Sequence, residues 1–225
     1  MMFMCGRFAL IVDASVLADV FEVDPPRELQ PRFNIAPTQT VPIIRAGKAT
    51  PRECAFVRWG LVPSWANDEK MGARMINARG ETVAEKPSFR SAVKNRRCLI
   101  PADGFYEWAR TGEGKQPHYI HFSDNRVFAF AGLWERWHKG EGDPLDTCTI
   151  ITTAANDLIA NLHDRMPVIL PPDRFTEWVE PAPLDPERLE DLLVPHSADG
   201  MEAYPVSSYV NKPANDGPEC IVRVG

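Results

Sequence analysis

The 225-residue sequence has no run of eighteen apolar residues, no C-x-x-C pair, no internal repeat and no low-complexity stretch. The first absence excludes a membrane-spanning helix. The opening MMFMCGRFALIVD has no basic leader and no A-x-A-like cleavage site, which argues against a secretory signal. Five cysteines (Cys5, Cys54, Cys98, Cys148 and Cys220) are an odd, scattered set. They make neither a disulfide framework nor a zinc knuckle, and they fit a reducing cytoplasm. Histidine is sparse as well. His118 and His121 lie three apart in a strand pattern and face opposite sides, while His138 and His196 have no partner at ligand spacing. No metal site is expected. The 44% hydrophobic and 25% charged content excludes a disordered tail or a coiled-coil rod, and the length suits a single domain over residues 1–225.

The net charge of −6 argues against a generally cationic nucleic-acid binder, but its distribution is uneven. Residues 70–99 carry eight basic side chains against Glu81 and Glu85, and residues 173–202 carry nine acids against Arg174 and Arg188. Such asymmetry fits one face that meets polyanions and another that stays solvated; chance clustering on solvated helix faces gives the same pattern.

What the chain has in excess is proline, 21 residues against the ~11 of average usage, so helices must be short and connections many. The patterning predicts a helix over Asp13–Phe21, with Asp13 as N-cap and Val16, Leu17, Val20 and Phe21 on the buried face. Strands are expected at 41–46, 53–59, 97–101, 105–110, 118–122, 127–134, 147–153, 167–170, 204–206 and 220–224. Two short helices are expected within 78–95, with further ones at 155–162, 173–179 and 185–193. Strands fill the middle and helices decorate the ends. That predicts an α+β single domain with a curved, mostly antiparallel β-sheet or barrel core and short flanking helices.

Four segments could carry chemistry. Cys5 follows Met4 in M-C-G-R-F; if Met4 initiates, its removal before a small residue leaves Cys5 with a free α-amine beside its thiol. A 1,2-aminothiol condenses with an aldehyde to an imine and closes to a thiazolidine, which an internal cysteine cannot do. An α-amine of pKa ~7.9 is roughly a quarter neutral at about pH 7.5, some 200-fold more than a lysine. The thiol would be roughly 10% thiolate. The competing reading is a small cysteine buried on the first strand. In M-I-N-A-R-G-E, Asn77 and Arg79 share a face if extended, an amide beside a phosphate-clamping fork, although Asn77 also reads as a helix cap. In I-P-A-D-G-F-Y-E-W, Glu107 alternates with Tyr106 and Trp108. A carboxyl turned inward among aromatics has its pKa raised by desolvation, which suits a general acid or base; an edge-strand ion pair is the alternative. In N-L-H-D-R-M-P, His163 ends a helix pattern where a loop begins, a placement open to catalysis and to structure alike. Trp59 and Trp65 in W-G-L-V-P-S-W add indoles that can stack on an unpaired base.

Taken in order, M-C-G-R-F, R-F-N-I-A-P-T, W-G-L-V-P-S-W, I-N-A-R-G-E-T, C-L-I-P-A-D-G-F-Y-E-W and L-H-D-R-M-P resemble the SRAP family, the SOS-response-associated peptidases, over nearly the whole chain. The resemblance implies a cytoplasmic, nucleoid-associated DNA-repair protein. It would bind single-stranded DNA and crosslink covalently and reversibly to abasic sites, with associated autopeptidase and weak lyase activity. It further implies Cys5 as nucleophile through amine and thiol, Asn77 orienting the sugar, Glu107 shuttling protons and His163 assisting sugar opening and reversal. Arg7, Asn34, Trp65, Arg79 and Arg165 match positions that hold phosphates and bases. No cofactor and no metal are implied, and a monomer is expected. Four residues precede Cys5, so either Met4 is the true initiator or self-processing trims Met1–Met4. A cysteine peptidase using Cys5 and His163 is the alternative function.

Overall fold

The computed structural model describes residues 5–112, 114–140 and 142–225; the segment ahead of Cys5, on which the start-site expectation rests, lies outside them. In chain order the elements are β1 (Phe8–Leu10), α1 (Ala14–Phe21), β2 (Arg32–Ile35), β3 (Thr40–Ala46), β4 (Arg52–Trp59), β5 (Asn77–Arg79), α2 (Ala92–Asn95) and β6 (Arg97–Ala102). There follow β7 (Gly104–Thr111), β8 (Gly114–Phe122), β9 (Phe128–Trp137), β10 (Leu145–Ala154), β11 (Arg165–Pro167), β12 (Ile169–Leu170), α3 (Phe175–Val179), α4 (Pro186–Leu192) and β13 (Met201–Pro205). The expected α+β architecture is what the chain adopts.

Two sheets form. One runs β13-β8-β7-β1-β2. In the other, β10, β4, β3, β6 and β9 pair in sequence and β9 returns to β10, closing a small barrel with no open edge among those five. The N-terminal half of β10 lies between β9 and β4, and its C-terminal half between β11 and the three-residue β5. An aromatic chain locks the sheets together. Phe8 of β1 meets Trp59 edge-on at 5.3 Å and Phe130 at 5.8 Å, and Phe130 meets Phe105 of β7 at 5.9 Å. The edge of β2 is blunted by Asp216, whose Oδ1 accepts the Phe33 and Asn34 amides at 2.6 and 2.9 Å.

Most strands fall where expected, and the departures have local causes. In α1 the buried residues are Leu17, Ala18 and Phe21, while Val16 and Val20 are exposed. Phe21 stacks on Phe175 at 5.3 Å and 18°, and that contact sets the helix rotation. Residues 77–79 extend as β5 instead of starting a helix, because β10 offers them a free edge; in that region only Ala92–Asn95 is α-helical. The expected helix at 155–162 is reduced to a 3-10 turn, Ile159–Asn161, tightened by Asn156, whose Oδ1 accepts the Ile159 amide at 3.0 Å. The expected C-terminal strand is a 3-10 turn, Pro218–Ile221, with only a Val206–Arg223 bridge beyond it.

Candidate functional site

Antiparallel pairing of β1 with β7, Phe8 opposite Phe105, carries Cys5 alongside Glu107. The Cys5 N–H donates to Glu107 Oε1 at 2.8 Å. Strand alternation does the rest. Tyr106 packs outward with Val206, Val210 and Cys220 of the C-terminal segment, whereas Phe105 joins the main core. Glu107 shares the inward side and is only 3% exposed. Burial pushes its carboxyl up to about 8, the Cys5 N–H pulls it back, and the nearby Asp164 charge pushes it further up. A carboxyl poised near neutrality can give and take protons at working pH. The Cys5 thiol is fully buried, and its pKa is driven well up, first by that burial and then by Glu107. The appreciable thiolate fraction expected from the sequence is therefore corrected: this thiol stays protonated until a base removes its proton.

His163 follows the 159–161 turn, its amide donating to Ile159 O at 2.9 Å, and is 8% exposed. Its Nδ1 accepts the Arg165 amide at 3.1 Å and lies 2.9 Å from Asp164 Oδ1. His163, Asp164 and Arg110 line an open pocket of about 330 Å³. Asp164 thus touches the imidazole and acts electrostatically on Glu107, tying the loop after β10 to β7.

A second cluster grows from β5, β10 and β11. Asn77 and Arg79 pair with Ile150 and Thr152 of β10, flank the buried Ala78 and share a side, Asn77 half-buried and Arg79 exposed. Arg165 reaches across from β11, but its guanidinium is engaged. It forks onto Glu81 at 2.5 and 2.8 Å, and its Nη2 also donates to Thr152 O at 2.7 Å. His163 belongs to the first cluster and Arg165 to the second, so a three-residue segment joins the two.

The remaining residues sort by exposure. Arg7 is half-buried, its Nη1 donating to Asn34 Oδ1 at 2.7 Å and to Val210 O at 2.8 Å, with its guanidinium 5.9 Å from the Trp108 ring centre. Asn34 has no exposed surface, and its amide nitrogen donates to the Val210, Lys212 and Asn215 carbonyls. In this conformation Asn34 braces Arg7 and the C-terminal segment, and it offers nothing outward. Trp65 is 48% exposed, its Nε1 donating to Pro87 O at 3.3 Å. It stands on a loop that Gly60 makes possible: φ is +128°, and a Cβ there would sit 2.7 Å from the Gly72 carbonyl. Trp59 is in the core, bonded to Ile76 O at 2.9 Å, so only Trp65 of that motif can meet a ligand face-on.

The basic segment is also thinner than its charge count suggests. Arg97 is 2% exposed and holds the carbonyls of Trp178, Val93, Lys94 and Ala182 at 2.6–3.1 Å. Arg96 pairs with Glu135 at 2.8 Å. Lys70, Arg74, Arg79, Lys86, Arg90 and Lys94 remain exposed. The sequence was not read as giving two acids a part in the site: Glu81, two residues after Arg79, and Asp164, between His163 and Arg165. The signal was present, an acid flanking each basic motif. Among the described residues no group of three or more His, Cys, Asp or Glu is placed to hold a metal ion.

These features define an α+β domain with a buried cysteine–carboxylate pair, a histidine linked to it through Asp164, and a separate set of arginines and an exposed indole. The chain belongs to the SOS response associated peptidase (SRAP) family, whose model matches residues 4–213. It is 49% identical to "Abasic site processing protein YoqW" of Bacillus subtilis over 223 residues, covering 97% of this chain and 99% of that one. It is 34% identical to "Abasic site processing protein HMCES" of Gallus gallus, over 87% of this chain and 67% of that one. A crystal structure of a Bacteroides thetaiotaomicron protein superimposes with a TM-score of 0.88 at 29% identity, covering 98% of this chain and all of the other.

Proposed function

We propose that this protein captures abasic sites in single-stranded DNA by closing a thiazolidine between Cys5 and the ring-opened deoxyribose. The observation that carries the proposal is the buried 2.8 Å contact between the Cys5 nitrogen and Glu107. Once the residues ahead of Cys5 are gone, by initiation at Met4 with removal of that Met or by self-cleavage, that nitrogen becomes an α-amine already within hydrogen-bond reach of the buried Glu107 carboxyl. The backbone favours the shortened form. Cys5 has φ +37°, a left-handed angle that costs a non-glycine residue about 1–2 kcal/mol and is undefined when no peptide precedes it.

The amine attacks C1′ of the aldehyde to give a carbinolamine. Glu107, as the acid, protonates the hydroxyl, and water leaves to form the protonated imine (iminium). Glu107, now the base, takes the thiol proton as Sγ adds to C1′, and the iminium nitrogen keeps its proton and becomes a neutral secondary amine. The balance is one water lost and no electrons transferred. Asn77 orients the sugar, while His163 assists sugar opening and the reverse reaction. Arg7, Arg79 and Arg165 hold phosphates, Trp65 stacks on a base, and Asn34 supports Arg7 from within. The same imine acidifies the C2′ proton, which permits weak β-elimination. The protein works as a monomer on DNA in the cytoplasm.

A general cysteine peptidase with a Cys5–His163 dyad is less well supported, because burial first, and Glu107 after it, hold the Cys5 thiol well above the range in which a thiolate forms readily. Self-cleavage ahead of Cys5 is compatible with either reading. The test is an oligonucleotide with one abasic site, run on a denaturing gel after incubation. A resistant band is expected with the aldehyde and lost when borohydride reduces it or when Cys5→Ser is used. A band that survives reduction of the aldehyde would refute the proposal.

A further inference from the structure

Arg165 presents a contradiction. The strand-binding reading asks it to hold a phosphate, yet its fork is already filled by the two oxygens of Glu81 at 2.5 and 2.8 Å. The two partners are not equally fixed. Arg165 is 13% exposed and anchored by Thr152 O at 2.7 Å, so its guanidinium is held by the backbone of β10. Glu81 is 52% exposed and sits on a 3-10 turn of three residues, Gly80–Thr82, that follows Gly80's neighbour Arg79 out of β5. It also borders a cavity of about 600 Å³ that holds Lys94, an exposed cation within the same cavity. A carboxylate and a phosphate present the same pair of acceptor oxygens to a guanidinium fork. The exposed acid can turn out to solvent; the base stays anchored to β10.

We infer that Glu81 is an internal phosphate surrogate, a specificity-determining residue that occupies Arg165 until a DNA backbone phosphate displaces it. The inference rests on the strand-binding reading above and adds a competitor to it. A weakly or wrongly placed polyanion does not recover the lost Glu81 pair, whereas a strand that delivers a phosphate into the fork while Trp65 and Arg79 engage it does. In the free protein the pair also hides one positive charge, so binding at Arg165 releases little counterion.

The test uses the full chain and a fluorescein-labelled single-stranded oligonucleotide without an abasic site, titrated over a salt series. Glu81→Gln, which keeps the shape and removes the charge, is expected to bind roughly 2- to 10-fold tighter at low salt. Its log–log salt slope should steepen by about 0.7, the counterion release of one single-strand phosphate met by a charge that no carboxylate hides beforehand. Arg165→Gln placed on top of Glu81→Gln should abolish the gain. Glu81→Gln that binds equally or more weakly, with an unchanged slope, would show the pair to be a structural brace and overturn the inference alone. If neither the parent nor Glu81→Gln binds the strand, the strand-binding reading falls and takes this inference with it.

Discussion

Replacing Glu107 with Gln should make the protein more stable at high pH, and the size follows from its burial. The folded chain holds this carboxyl at about 8, against 4.5 in the open chain, with burial the leading cause. At about 1.4 kcal/mol for each tenfold change, ionising it inside the fold costs on the order of 5 kcal/mol. Below pH 4.5 both states hold the proton and nothing is lost. As pH rises from there the unfolded chain ionises while the folded one does not, so stability falls until the loss is complete above about 8. Gln keeps the oxygen that accepts the Cys5 N–H and cannot ionise. Urea unfolding of parent and Glu107→Gln chains that retain the residues before Cys5 should give similar stabilities near pH 5. By pH 9 the variant should lead by up to a few kcal/mol. A chain that begins at Cys5 should show a smaller gap, because an α-ammonium beside the carboxylate favours its ionised form. A parent-minus-variant difference that stays constant from pH 5 to 9 would refute the argument that burial, held for the sake of proton transfer, sets this group.

Asn34→Ala strips a buried amide from three carbonyls and from Arg7, and should cost about 2–4 kcal/mol in urea unfolding. If Asn34 instead met the strand directly, the loss would appear in binding with stability intact. Trp65→Ala, at a half-exposed site, should leave stability within about 1 kcal/mol of the parent while weakening single-strand binding by about 1–3 kcal/mol, read by fluorescence anisotropy. Arg79→Gln should lower affinity for every sequence alike and make the salt slope shallower by about 0.7, whereas an unchanged slope would remove Arg79 from the phosphate contacts.

The strands were readable because their β-branched and aromatic runs are bounded by proline and glycine, and the inward turn of Glu107 followed from alternation with Tyr106 and Trp108. What stayed hidden depended on partners distant in sequence. Residues 77–79 are extended only because β10 has a free edge, and Val16 and Val20 are exposed only because Phe21 stacks on Phe175. Asn34 and Arg165 read as strand contacts by motif. The structure shows that one is spent on carbonyls 176 to 181 residues away and the other on a carboxylate 84 residues away. Charge counts likewise could not tell Arg97, folded inward onto carbonyls, from the exposed Arg79.

The most direct test of the account is the intact mass of the protein after incubation with an abasic-site oligonucleotide, followed by alkylation of free thiols and peptide mapping. The account predicts a chain that begins at Cys5, an adduct weighing the sum of protein and DNA less one water, and a Cys5 thiol that no longer alkylates. A chain that begins at Cys5 and forms no adduct, or an adduct whose Cys5 thiol remains free to alkylate, would contradict it.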